Sequence, residues 1–132
     1  MDQGPLVGEQ IDAARDFLSR FASYAHVHAA FWLRSSEEGT LNLYLASDEV
    51  TDANLDLAYG EVLRIAREMR NPNFDPFQVK VIRTDDPMAQ AAVNIHRKYS
   101  ATIPAHFTGR SFGGVSADEV YVYPPAAPVT AK

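Results

Sequence analysis

Residues 27–34 read Val27-His28-Ala29-Ala30-Phe31-Trp32-Leu33-Arg34. Val27, Ala29, Phe31 and Leu33 are apolar, and they alternate with a set that carries His28, Trp32 and Arg34. Side chains alternate across an extended strand, so this period of two predicts a β-strand with two unlike faces. Three more runs sort in the same way. Leu41, Leu43 and Leu45 alternate with Asn42 and Tyr44; Phe77, Val79 and Val81 with Gln78, Lys80 and Ile82; Val120 and Val122 with Tyr121 and Tyr123.

The segments between these runs fill in the order. Ser35-Ser36-Glu37-Glu38-Gly39 is a polar link with glycine, so runs 27–34 and 40–46 form a hairpin. Upstream, Ile11, Ala14, Leu18 and Phe21 recur at helical spacing and predict a helix over 8–24. Leu55, Ala58, Val62, Ile65 and Met69 do the same for 52–70, which Asn71-Pro72 ends. A strand follows at 77–83. Asp86-Pro87 is an N-cap with proline in the first turn, opening a helix that reaches Tyr99. Pro104, Gly109, Gly113 and Gly114 make 100–118 an irregular segment before a last strand at 119–123.

The resulting order is α-β-β-α-β-α-β, an α/β (α+β) domain over residues 1–123. The Pro/Ala-rich stretch 124–132 is a flexible tail. Right-handed crossovers advancing in one direction place their helices on one side of the sheet. A two-layer sandwich is expected, with a four-stranded mixed sheet and the helices mainly on its greasy face. The opposite face would then lie uncovered, with His28, Trp32, Arg34, Tyr44, Lys80, Tyr121 and Tyr123 upon it.

Composition narrows the partners. A net charge of −5 over 132 residues disfavours phosphate backbones and anionic membranes. A base-stacking sheet is disfavoured as well, because no run carries the basic and glycine-interleaved aromatic string of RNA platforms. There are no cysteines, which excludes disulfides, thiolate metal sites and a cysteine nucleophile. Met1-Asp2-Gln3-Gly4-Pro5 has no basic leader and no apolar run is long enough for a bilayer, so a cytoplasmic location is expected.

Catalytic patterns fail on context. Gly109-Arg110-Ser111-Phe112-Gly113 matches G-x-S-x-G, but no helix follows it and no histidine lies after Ser111. His26 and His28 share a strand face, yet spacing supplies no third metal ligand. Asp48-Glu49, Asp85-Asp86 and Asp118-Glu119 sit at element boundaries, where capping accounts for them. The order hairpin–helix–strand resembles the small nucleotidyltransferase core in topology. Its metal-binding acids have no counterpart in Thr40-Leu41-Asn42-Leu43-Tyr44, so the resemblance implies a protein without that catalysis. Gln78-Val79-Lys80 is similar to half of a PD-(D/E)xK nuclease site, without the preceding acid.

No cofactor or catalysis is expected. Exposed aromatic patches mark interfaces or ligand platforms. The leading expectation is a self-association module, a homodimer or protein-binding domain joined through the aromatic face. The alternative is a binding protein or enzyme for a small anionic ligand. Its pocket would lie between that face and segment 100–118, where Arg110 or Lys80 meets the anion.

Overall fold

The computed structural model describes residues 6–98 and 104–124. The elements are α1 (Gly8–Phe21), β1 (Ala29–Ser35), β2 (Leu41–Ala46), α2 (Leu55–Met69), a 3-10 turn (Pro76–Gln78), β3 (Val79–Ile82), α3 (Pro87–Lys98), β4 (Ala105–Phe112) and β5 (Val115–Val122). The class is α+β, and the sheet is mixed as the sequence leads one to expect. It has five strands rather than four, in the order β3-β2-β1-β5-β4. Only the β2–β3 pair is parallel. Beyond Pro124 the predicted tail lies outside the described residues.

The fifth strand comes from the segment read as irregular. Gly113 and Gly114 have φ of 59° and 84° and form the two-residue link between β4 and β5. Positive φ at both positions is the geometry whose twist matches a hairpin, and Gly-Gly supplies it without steric cost. The pairing of β1 with β5 slips by one residue. Arg34 faces Glu119 but Ser35 faces Ala117, while Thr108 faces Glu119 and Arg110 faces Ala117. Asp118 is the extra residue on β5, whereas β4 and β5 keep one register along the whole hairpin. The hairpin tip then packs on the sheet, with the Phe112 ring 5.1 Å from that of Phe31.

The face assignment read from the sequence is corrected by register. Trp32 stands opposite Leu43 in β2 and Tyr121 in β5, whereas Phe31 stands opposite Tyr44 and Val122. One face therefore mixes Trp32, Tyr121 and Tyr123 with Leu41, Leu43, Leu45 and Val79. The other mixes Phe31, Leu33, Val120 and Val122 with Tyr44 and Ile82. Alternation defines two sides within one strand; only pairing decides which sides join.

Both faces are covered, so the domain has three layers instead of two. Ala13, Ala14, Phe17 and Phe21 of α1 and Ala58, Val62 and Ile65 of α2 pack on the first face. Ala92 and Ile95 of α3 pack on the second. The crossover rule governs parallel strands. It applies to β2–α2–β3, but α3 joins opposite edges of the sheet and is free to run beneath it.

Local signals hold these pieces in place. Asp86 caps α3 as expected, its Oδ1 accepting from the Met88 N–H at 2.8 Å. The short edge strand β3 has its outward N–H groups occupied. Val79 donates to the Pro76 carbonyl, and Val81 donates to the Tyr59 hydroxyl at 2.9 Å. Edge strands blunted in this way resist pairing with other chains.

Gly113 docks the hairpin tip on α3. A Cβ there would lie 2.5 Å from the Met88 Cα and 2.6 Å from its N, both backbone atoms with no rotamer to yield. Gly113→Ala should cost about 2–4 kcal/mol of unfolding free energy in urea denaturation. Gly114→Ala meets open space and should cost about 1 kcal/mol, the strain of positive φ alone. Equal losses would show that the docking contact carries no weight.

Candidate functional site

The eight candidate residues, seven expected on one sheet face and Arg110 on the covering segment, divide among five places. Trp32, Tyr121 and Tyr123 are only 2, 8 and 6 % exposed, buried beneath the helices α1 and α2. The Trp32 Nε1–H donates to the Tyr123 hydroxyl at 3.0 Å, and that hydroxyl donates to the Ile11 carbonyl at 2.8 Å. The Arg15 guanidinium lies 5.9 Å from the centroid of the Tyr123 ring. This is a polar chain joining β1, the end of β5 and α1 within the core. Arg34 donates to the Gly39 carbonyl at the hairpin turn.

On the opposite face Tyr44 stacks on Phe31, centroids 5.2 Å apart, and burial pushes its phenol above the ordinary range. Exposed Lys80 follows the same alternation on β3, paired with Tyr44. Arg110 lies over the Phe107 ring at 4.4 Å on the β4 edge. Segment 100–118, as far as it is described, forms the edge hairpin and does not roof a shared aromatic surface.

His28 alone reaches a cleft with converging polar groups. Its backbone N–H donates to the Ala46 carbonyl at 2.7 Å, fixing it beside the C-terminal end of β2 just before β1. The cleft holds about 450 Å³ and is lined by His28, Thr84, Asp85, Gln90, Val93, Asn94 and Arg97. Thr84 and Asp85 follow β3. Gln90, Asn94 and Arg97 recur at four- and three-residue steps along α3, so one stripe of that helix faces the cavity.

The charges around this cleft are unevenly matched. Arg83 binds Asp85, Nε to Oδ1 at 3.1 Å, and holds its carboxyl below the usual range. Arg97 forms no ion pair with any described carboxylate. Close to His28, at 6.5 Å between ring centroids, His26 binds Asp48 through Nδ1 at 3.0 Å and lowers that carboxyl too. Among the described residues no three His, Cys, Asp or Glu side chains gather as metal ligands.

A second polar cluster escaped the sequence reading. Glu119 accepts from the Leu6 N–H at 3.2 Å and bonds His106 Nε2 at 2.8 Å, with the Tyr121 ring edge-on to His106 at 5.6 Å. It ties the segment before α1 to β5 and β4. Pairing across β4–β5 brings it together, so no local spacing could announce it. The α3 stripe did have a local signal, Gln90-x-x-x-Asn94-x-x-Arg97, obscured because Arg97 also fits a cationic helix terminus.

No family model, curated protein or solved structure matches this chain. No described helix is long and apolar enough to cross a membrane.

The buried Tyr123 hydroxyl yields a test. Tyr123→Phe leaves the Trp32 N–H without that acceptor and should cost about 1–3 kcal/mol. Burial is the main cause that raises the Tyr123 pKa, so the native state keeps the phenol proton after the unfolded chain has released it. Stability should fall as pH rises above about 10, by up to about 1.4 kcal/mol per pH unit for this group. Urea titrations at several alkaline pH values should show a shallower decline in Tyr123→Phe; an unchanged slope would mean the hydroxyl is not held in this way.

Proposed function

We propose that this chain binds a small anionic molecule, a carboxylate or a phosphate ester, in the cleft beside His28. The observation that carries the reading is Arg97. It faces the cavity in company with the amides of Gln90 and Asn94 and the hydroxyl of Thr84, and no described carboxylate neutralises it. The acid at the same cleft, Asp85, is already bound by Arg83. A guanidinium matches carboxylate and phosphate oxygens in pairs, while neighbouring amides fix orientation. Val93 offers an apolar contact within this mostly polar wall.

The site also suits its place in the sheet. It lies where parallel β2 and β3 end and the chain leaves for α3. The carboxyl ends of parallel strands are where open α/β sheets leave crevices between their connections. This keeps the anionic ligand anticipated from the sequence and moves its pocket. His28 is retained, whereas Lys80 and Arg110 belong to the two outer strands.

Homodimerisation is the second reading, on a different surface from the aromatic face. β4 is an eight-residue edge strand with most residues exposed, whereas the β3 edge has its outward N–H groups occupied. Antiparallel pairing of two β4 edges would continue the sheet. Sedimentation at high micromolar concentration tests it, and a clean monomer would sink it.

The cleft is tested by thermal shift against a panel of small mono- and dicarboxylates, sugar phosphates and nucleotides. At least one should stabilise the protein, by about 2.7 kcal/mol at a hundred times its Kd. Arg97→Ala should lose most of that shift while melting close to wild type without ligand, and His28→Ala should reduce it. A panel without a hit, or a hit that survives Arg97→Ala, rejects the assignment.

A further inference from the structure

The far end of β3 carries a different surface. α2 stops at Arg70, whose φ of 51° is the one positive value among described non-glycine residues. The left-handed turn reverses the chain, and Phe74 folds inward to stack on Phe17, centroids 4.7 Å apart. Between the last turns of α2 and residues 71–76 lies a shallow open groove of about 500 Å³. Leu63, Ala66, Pro72, Phe74 and Pro76 give it apolar walls, and Arg67 and Arg70 add two cations.

Two features separate this groove from an ordinary helix end. The first is its exposed apolar surface. Leu63 is 40 % exposed, and Phe77, next in sequence to Pro76, is 79 % exposed. A helix dipole explains cations in a last turn but not exposed rings and aliphatic chains beside them. The second is charge. The chain carries 17 acidic residues, and Arg64 on the same helix is bound by both Glu61 and Glu68. Arg67 and Arg70 form no ion pair with any described carboxylate.

We infer that this groove docks a short segment of another protein in which an apolar side chain is flanked by one or two carboxylates. The apolar residue enters between Leu63, Phe74 and the two prolines; the carboxylates meet Arg67 and Arg70. Pro72 and Pro76 stiffen the wall, so little conformational freedom is lost on binding. The segment docks through side chains and not as an added strand, because β3 has its outward N–H groups at Val79 and Val81 already occupied. The surface is independent of the cleft beside His28, which lies at the opposite end of β3.

The experiment uses the full chain and a random dodecapeptide library displayed on phage. Enriched sequences should place Asp or Glu within two residues of Phe, Trp, Leu or Ile. A labelled synthetic copy of the most enriched peptide should bind the Arg67→Glu/Arg70→Glu double variant about tenfold more weakly or worse. Leu63→Ser should weaken it too, while Arg110→Glu should not. Binding should weaken as salt rises from about 50 to about 200 mM. Circular dichroism and melting temperature confirm that each variant folds. Four results would overturn the inference: no enrichment, enriched peptides without acids, affinity indifferent to the double variant, or sedimentation showing that these substitutions abolish a dimer. The last would assign the groove to a second copy.

Discussion

β1 is buried from both sides, and the rest of the molecule follows from that constraint. Ala30 and Trp32 face α1 and α2, while Phe31 and Leu33 face α3. A central strand with aromatic groups on both faces is stable only if both are kept from water. Two helices on one side cannot do this, so α3 passes beneath the sheet and the hairpin tip bends in to help it. Phe112 completes that second layer against Phe31, and Gly113 allows the tip to approach the α3 backbone. On the first side, Trp32 has an indole N–H that needs an acceptor inside the core. Tyr123 provides it and passes the bond on to α1.

The sequence spoke clearly about elements and poorly about how they join. Period two in 27–34 and period 3.6 in 52–70 are properties of single segments, and both elements formed there. Asp86-Pro87 marks the start of α3 for the same local reason. Whether Phe31 shares a side with Leu43 or with Tyr44 depends on pairing, a relation between distant segments. A one-residue difference in assumed register turned two mixed faces into one greasy and one aromatic face. Gly113-Gly114 carried a readable hairpin signal, but Pro104 and Gly109 nearby masked it as a loop. Without β4 in the count, placing the helices on one side is the economical arrangement.

The same distinction between local pattern and pairing governs the site. As aromatic residues on strands, Trp32, Tyr121 and Tyr123 suggest an exposed platform. Their polar atoms serve instead to satisfy one another in the core. His28 sits at the end of a strand, where the side chain meets loops rather than a helix face, and it alone of the eight lines the polar cleft. Arg97 was visible as a cation in a last helical turn. Its direction toward His28 follows from where α3 lies beneath the sheet, which no spacing within residues 87–98 contains.

The position of α3 thus links packing to chemistry. Its first turn is held by Asp86 and by the contact of Met88 with Gly113; its apolar stripe rests on β1; its polar stripe supplies one wall of the cleft. Gln90, Asn94 and Arg97 cannot rotate toward or away from His28 unless Ala92 and Ile95 leave the core. On the proposed reading, a wall on a helix committed in this way is preorganised, and little free energy would be lost in ordering it around a ligand. The groove at the end of α2 has the same character by other means, since Phe74 is stacked into the core and two prolines frame the turn. At both ends of β3, rigid elements present arginines to the surface of a chain of net negative charge. In each place the fold holds an arginine that forms no ion pair with a described carboxylate.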